Sequence, residues 1–341
     1  NRQKNRRRRG QRAAGGGASG GPAPLAVLDL GTNSCRLLIA VPTPDGNFRV
    51  IDSFSRIVRL GEGLAQSGEL SAAALDRTIA ALKICAARIK AHGVRRLRAI
   101  ATEAARRADN ADLLLARARD EAGLELSIVT PDQEAALAAL GCAPLIGRKY
   151  AGGLVFDIGG GSTEIIWLAR AEGGKTRTLF SASVPVGVVS LAEEYGAASR
   201  SHAGFLKMRA AMTARFAQVR NAADAQGGAF DVAAHHLLGT SGTVTTLAAI
   251  ALDLPRYNRA RVDASWHKTA AVQAVVERVS RLDQQALAAI GSIGRERADL
   301  MLAGCALFEA ICTHWPSAEL RVADRGLREG MLRELMQEDS P

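Results

Sequence analysis

Two stretches of this chain share one outline, and that duplication limits its fold more than any other feature. Residues 27–39 read VLDLGTNSCRLLI and residues 155–166 read VFDIGGGSTEII. Each runs from an apolar segment through Asp, an apolar residue, Gly and small polar residues into a second apolar segment. Glycines in succession weaken any strand or helix, so they mark a turn between two strands. At a hairpin tip glycine permits positive φ and leaves no Cβ to obstruct close approach. Backbone N–H groups there can converge on an anion, and an Asp just before the loop can hold a hydrated cation against a bound phosphate. A tight hairpin without a ligand is the alternative for either copy alone; two Asp-led copies in matching places favour the phosphate cradle. Neither copy is a Walker A loop, since G-x-x-x-x-G-K-[ST] and its Lys are missing from both.

The surrounding pattern repeats as well. In the first half, LAVLDL, CRLLIAV and FRVIDSFSRIVRL (48–60) predict three strands. A helix follows over 71–93, a strand at RLRAIAT, one helix over 103–123, a strand at ELSIVT and a helix over 131–147. In the second half GLVFDI, TEIIWLA and TLFSASVPVG predict three strands, and a helix covers about 201–226. HHLLGT is a strand, SGTVTTLAAIAL opens helices that run to about residue 314, ELRVAD is the last strand and RGLREGMLRELMQ the closing helix. Each half reads β-β-β-α-β-α-β-α. The expected fold is α/β, two similar lobes with a cleft between them: residues 25–148 and 149–341, preceded by a basic tail and Gly-rich linker over 1–24.

Composition fits this plan. A chain of 341 residues that is 48% hydrophobic can bury two cores. It has no uncharged apolar run of membrane-spanning length, and its first residues lack the apolar core of a signal peptide, so a cytoplasmic protein with no membrane partner is expected. The five cysteines form no CxxC pair and read as buried, reduced thiols. NRQKNRRRRGQR, residues 1–12, carries seven of the ten net positive charges, leaving +3 for the rest. That tail either recruits polyanions, including nucleic acid non-specifically, or is simply solvated. The six histidines form no ligand cluster, so no zinc site is expected.

Two predicted helix starts bear on the cleft. GTSGTV, residues 239–244, opens a helix with Gly239, Thr240, Ser241, Gly242 and Thr243, an anion-ready N-terminus. TPDQEAAL opens another: Thr130 can N-cap it, Pro131 suits the first position, and Gln133 completes a T-x-x-Q capping box. Glu134 in that first turn would favour the helix dipole in any protein. Arg106 and Asn110, four apart, are placed on one face of the 103–123 helix. Arg325 and Arg328 flank Gly326, and either can cap the closing helix.

DLGTNSCRLLI, ATEAARRADN, DIGGGSTE, GTSGT, GRERADLMLAG and RVADRGLREGML, in this order, resemble the successive motifs of the Ppx/GppA exopolyphosphatase family over about residues 25–335. That family belongs to the actin-like ATPase superfamily. The resemblance implies two duplicated actin-like (ribonuclease H-like) lobes, Mg2+ dependence, and hydrolysis of terminal phosphates from polyphosphate or guanosine pentaphosphate. It implies that Glu134 activates water, although TPDQEA departs from the family's Ser-Gly-x-Glu-Glu-Ala. Asp157 and Glu164, with Asp29, would hold Mg2+; for Glu164 the plain alternative is a polar residue starting an exposed strand. Gly31, Thr32, Asn33, Ser34, Gly159, Gly160, Gly161, Ser162 and Thr163 would offer donors to phosphate oxygens. Arg36 matches the first loop's usual basic residue, and Arg106 matches an Arg expected to grip phosphate. Longer family members continue into a helical His-Asp-type extension, which this sequence is expected to lack.

The leading expectation is therefore an exopolyphosphatase working by direct water attack. Guanosine pentaphosphate 5′-phosphohydrolase is the nearest rival, followed by a kinase of the same fold and a silent nucleotide-binding regulator. Polyphosphate ranks first because no aromatic residue falls inside the two loops, GTSGT or GLREG to receive a base. A homodimer is expected because symmetric dimers are the commonest oligomers.

Overall fold

LAVLDL is apolar at alternate and intervening positions because its strand is covered on both faces: Leu25, Ala26, Val27, Leu28 and Leu30 are all buried. Each such Leu or Val contributes about 1.5–3 kcal/mol relative to exposure. In the computed structural model, which describes residues 22–338, this strand is β1 (Leu25–Leu30), followed by β2 (Ser34–Pro42), β3 (Phe48–Ile57), α1 (Leu64–Ser67) and α2 (Ala72–Ala91). Next come β4 (Arg96–Ala101), α3 (Glu103–Arg107), α4 (Ala111–Ala122), β5 (Ser127–Ile128) and α5 (Pro131–Cys142). The second half holds β6 (Gly152–Ile158), β7 (Thr163–Arg170), β8 (Thr176–Val184), α6 (Val188–Tyr195), α7 (His202–Gly227), β9 (His235–Thr240) and α8 (Gly242–Ala251). It continues through α9 (Arg259–Val262), β10 (Trp266–Lys268), α10 (Thr269–Ser280), α11 (Gln284–Ala289), α12 (Met301–His314), β11 (Glu319–Ala323) and α13 (Leu327–Gln337). The basic tail of residues 1–12 lies outside the described residues.

The two sheets repeat one topology. The first has order β3-β2-β1-β4-β5; the second, read from its hairpin end, is β8-β7-β6-β9-β11, with β10 added at the edge. In both, the Asp-bearing strand is antiparallel to its hairpin partner and parallel to the next strand, β1 to β4 and β6 to β9. The expected α/β pair of duplicated lobes is thus the observed architecture. Each lobe has its own apolar core, and two smaller clusters lie between the sheets around α5 and α13.

Several boundaries differ from those the sequence predicts. The helix expected over 103–123 is two helices, because Ala108 is extended (ψ 128°) and Asn110 precedes α4. Asn110 accepts from Leu70 N (2.8 Å) and donates to Leu70 O (3.0 Å), so the chain before α2 claims it. Arg106 and Asn110 therefore share no helix face. The third strand ends at Ile57 rather than residue 60, since Val58 N and Arg59 N both donate to Asn33 O (2.9 and 3.0 Å) and fold over the first loop. ELSIVT pairs only at Ser127–Ile128. The edge strand β10 and helix α6 are not among the predicted elements, although α6 shows an apolar face of Val188, Val189 and Leu191 and ends at Gly196.

Helices α5 and α13 cross between the sheets. Leu327, Met331, Leu332 and Leu335 of α13 pack against Leu25, Val27, Leu38 and Ile100 of the first sheet. Ala135, Ala138 and Cys142 of α5 pack against Val155, Ile166 and Leu168 of the second. The crossing is closest at two glycines: a Cβ on Gly141 would stand 2.0 Å from Gly326 O, and one on Gly330 2.0 Å from Leu137 O. This crossing brings the starts of α5 and α13 to the same cleft.

Candidate active site

The two Asp-led hairpins have the same register. Asp29 sits opposite Arg36, and Asp157 opposite Glu164. Both tips close with the same bond, Gly31 N to Ser34 O and Gly159 N to Ser162 O, each 2.9 Å. None of Gly31, Gly159, Gly160 and Gly161 lies in the left-handed region. Of the two uses expected of these glycines, positive φ and close approach, close approach is the one made. A Cβ on Gly160 would lie 2.9 Å from Thr32 Cβ and 3.1 Å from Asn33 N, and one on Gly161 2.8 Å from Thr32 Oγ1. The glycine run lets one loop seat against the other.

Between the loops lies a cavity of about 570 Å3. The first hairpin lines it with Asp29, Gly31, Thr32, Asn33, Ser34 and Arg36. The second adds Asp157, Gly159, Gly160, Gly161, Ser162 and Glu164, and α5 adds Glu134. Thr240, Ser241, Gly242 and Thr243 line it from the start of α8. Ser241 holds φ 106° and ψ 166° there, a region that costs a non-glycine residue about 1–3 kcal/mol. Its hydroxyl accepts from Val244 N.

Three expected residues lie outside the lining. Thr163 is buried and donates Oγ1 to Val186 O (2.7 Å). Gly239 is a packing glycine, since a Cβ would meet the Phe156 ring at 2.6 Å. Arg106 stands behind Glu134: Nη1 donates to Glu134 Oε2 (2.7 Å) and Val129 O (2.8 Å), Nη2 to Glu103 Oε2 (2.8 Å). The capping box forms as expected, with Gln133 N donating to Thr130 Oγ1 (3.2 Å) and Gln133 Oε1 accepting from Thr130 N (2.9 Å). Gln133 thereby serves the helix end, and Glu134 turns into the cavity.

The structure adds Arg297, Arg328, Tyr257, Arg259 and Phe54 to the walls. Arg259 is occupied by Asp324 (3.3 Å) and Glu329 (3.0 Å), and Arg325 by Asp263. Glu329, rather than either Arg, caps the closing helix by accepting from Gly326 N (2.9 Å). Arg36 and Arg328 have no hydrogen bond or ion pair among the described residues, and Arg297 reaches only Thr246 Oγ1 at 3.5 Å. Burial, and then the neighbouring Arg36, lowers the pKa of Arg297; burial likewise lowers that of Arg328, with Arg36 adding to it. Three guanidiniums held together against their own repulsion make an anion site.

The carboxylates face the opposite strain. Burial pushes Asp157 up to about 6, Arg36 pulling it back and Asp29 adding to the rise. Burial pushes Glu134 up to about 7 against the pull of Arg106. Burial raises Asp29 as well, and it raises Glu164 strongly, with Glu134 and Asp157 adding repulsion. Glu164 is 2% exposed and accepts from Ser183 Oγ (2.9 Å), so it does not start an exposed strand. The donor set is all oxygen, which suits a hard divalent cation. Among the described residues no three His, Cys, Asp or Glu side chains form a cage. Mg2+ characteristically takes one or two carboxylates and completes its shell with water and substrate phosphate, and the acids fit that kind of site.

The sequence signal for Arg297 lay inside GRERADLMLAG, where nothing local separates it from Arg295. Phe54 and Tyr257 lie far from every Gly-rich motif, so no motif shows the aromatic surface they give the cavity. Among the described residues no helix is long and apolar enough to cross a membrane.

Known proteins resemble this chain in sequence and in fold. The sequence pattern of the Ppx/GppA phosphatase family matches residues 39–339. Exopolyphosphatase 2 of Mycobacterium tuberculosis is 30% identical over 295 residues, covering 84% of this chain and 89% of the relative. The crystal structure of the Aquifex aeolicus Ppx/GppA family member is 28% identical, with a TM-score of 0.75 over 94% of this chain and 99% of that one. An exopolyphosphatase structure from Cytophaga hutchinsonii has a TM-score of 0.82 at 21% identity, a likeness of fold, over 93% of this chain and 99% of that one.

Proposed function

The chain belongs to the Ppx/GppA phosphatase family and is a phosphoanhydride hydrolase, and we propose that it releases terminal orthophosphate from inorganic polyphosphate by Mg2+-dependent attack of water. The observation that carries this reading is the set of three unpaired guanidiniums, Arg36, Arg297 and Arg328, sharing one cavity with Asp29, Glu134, Asp157 and Glu164. The arginines bind phosphate oxygens, and the N-terminus of α8 adds backbone donors. Glu134 orients a water in line with the departing chain and takes its proton at Oε1, which has no protein donor among the described residues. A carboxylate pushed up to about 7 is matched to that proton. Mg2+ bound by Asp157 with Glu164 or Asp29 would supply neutralisation of the charge on the bridging and terminal oxygens. The 30% identity to a mycobacterial exopolyphosphatase supports the substrate class.

One observation favours a second reading. Phe54 and Tyr257 line the cavity, with Arg56 and Arg88 each 5.4 Å from the Phe54 ring. An aromatic wall of this kind can receive the base of guanosine pentaphosphate.

Phosphate release from polyphosphate, guanosine pentaphosphate and ATP, each with and without Mg2+, tests both. The expected result is Mg2+-dependent release, fastest from polyphosphate; preference for guanosine pentaphosphate in competition would reverse the ranking. Glu134→Gln should keep the fold and lower kcat by about 10²–10⁴-fold. Turnover within about threefold of the parent would return Glu134 to a helix-end role.

A further inference from the structure

Arg106 is where the family resemblance and the geometry part. Four of its five N–H groups are engaged: Nη2 and Nε reach Glu103 Oε2 (2.8 and 3.2 Å), and Nη1 reaches both Glu134 Oε2 (2.7 Å) and Val129 O (2.8 Å). The side chains of Glu103, Arg106 and Glu134 are 11, 13 and 13% exposed. Glu134 alone of the three lines the cavity.

We propose that Glu103 and Arg106 are positioning residues for Glu134, and that Arg106 does not contact substrate. The inference rests on the reading of Glu134 as the base. The geometry has three parts. Val129 O lies just before the Thr130 cap, so Arg106 is bolted to the backbone from which α5 springs. Its bond to Oε2 fixes one oxygen of Glu134, a residue that lines the cavity, and Oε1 has no protein donor among the described residues. Glu103 holds the far side of the guanidinium, and its stem is wedged beneath the second loop, where a Cβ on Gly161 would meet Glu103 Cγ at 3.0 Å. A buried ion pair is poor evidence for stability, since desolvation offsets its attraction. A rigid chain of carboxylate, guanidinium and carboxylate does orient its last member, and small misplacement of a catalytic group costs turnover steeply.

Steady-state kinetics on polyphosphate with Mg2+ tests this in Arg106→Ala, Arg106→Lys, Glu103→Gln, Glu134→Gln and the double variant Arg106→Ala/Glu134→Gln. Arg106→Ala should lower kcat by about 10²-fold with KM nearly unchanged. Arg106→Lys should recover part of the loss, because an ammonium can meet one carboxylate but not span both. Glu103→Gln should lower kcat by about tenfold, the loss typical of a supporting partner. In the Glu134→Gln background, Arg106→Ala should cost nothing further in kcat, because residues acting through one another are non-additive. Polyphosphate affinity of Glu134→Gln should likewise survive the second substitution.

A raised KM with unchanged kcat in Arg106→Ala would make Arg106 a phosphate grip and overturn the proposal. A full additional loss in the Glu134→Gln background would overturn it too. Should Arg106→Ala fail to fold, the near-isosteric Glu103→Gln decides: kcat within twofold of the parent refutes the chain. Failure of the underlying reading shows differently, as parental turnover in Glu134→Gln itself.

Discussion

The hairpins β1–β2 and β6–β7 are one device used for opposite charges. Their backbones coincide in pattern: an Asp seven residues before its cross-strand partner, and the same Gly N–H to Ser O bond at the tip. Opposite Asp29 stands Arg36; opposite Asp157 stands Glu164. The first copy therefore presents a cation towards the anion site formed with Arg297 and Arg328. The second presents two acids, pushed up by burial, towards the position where a cation would be held. The loops differ in bulk to match each other: Thr32 and Asn33 of the first fill the space that Gly160 and Gly161 of the second leave open. The two copies share a backbone pattern and differ in charge at the facing position.

Substitutions at the charged positions separate the roles of the two hairpins. Asp157→Asn should lower kcat by about 10²-fold or more and raise the Mg2+ needed for half-maximal rate, since a metal's supporting groups alone are worth 10–100-fold. An unchanged Mg2+ titration would put the cation elsewhere. Arg36→Gln should act on the other quantity, raising KM for polyphosphate by about tenfold with the Mg2+ titration unchanged, the loss of one charged hydrogen bond. If both variants moved Mg2+ dependence equally, the division of labour between the copies would be wrong.

The glycines of the two tips differ in how closely they are packed. Gly160→Ala should destabilise the chain by about 1–3 kcal/mol by overpacking against Thr32 and Asn33. Gly31→Ala should stay within about 0.5 kcal/mol, because the nearest atom to its Cβ is Ser34 O at 3.6 Å. Thermal melts of the two variants would distinguish loop packing from a general intolerance of side chains at hairpin tips.

The smallest effect is a pH dependence. Asp157 has a folded pKa of about 6, raised above its ordinary 3.8 by burial. A raised pKa contributes stability that is fully present below the unfolded value and is lost as pH rises through the folded one. Without divalent cation, Asp157→Asn should therefore melt higher than the parent at pH 7–8 and converge with it near pH 4. His236 has the opposite sign: burial lowers it to about 4, its Nε2 accepting from Gly147 N (3.0 Å). Comparing the two proteins at each pH cancels that contribution. A constant Tm difference across the range would mean that Asp157 is not held against its charge.

Features that repeat or are local were legible in the residues alone. The doubled Asp-Gly outline determined two α/β lobes. The T-x-x-Q box determined the start of α5, and the glycine run marked the cleft. Features that depend on segments distant in the chain came from the fold. Nothing near Arg328 says that α13 returns to pack on β1, yet that return, through the Gly141–Gly330 crossing, carries Arg328 into the cavity. Nothing in ATEAARRADN says that Asn110 belongs to Leu70, so the helix break, and with it the direction of Arg106, is invisible to periodicity. The glycines were legible as glycines but not in their use, because whether a missing Cβ serves φ or close approach depends on what the fold sets against it. Local pattern fixes which backbone groups can pair; which side chains meet across a cleft follows from long-range packing, and that is where the charges of this site were chosen.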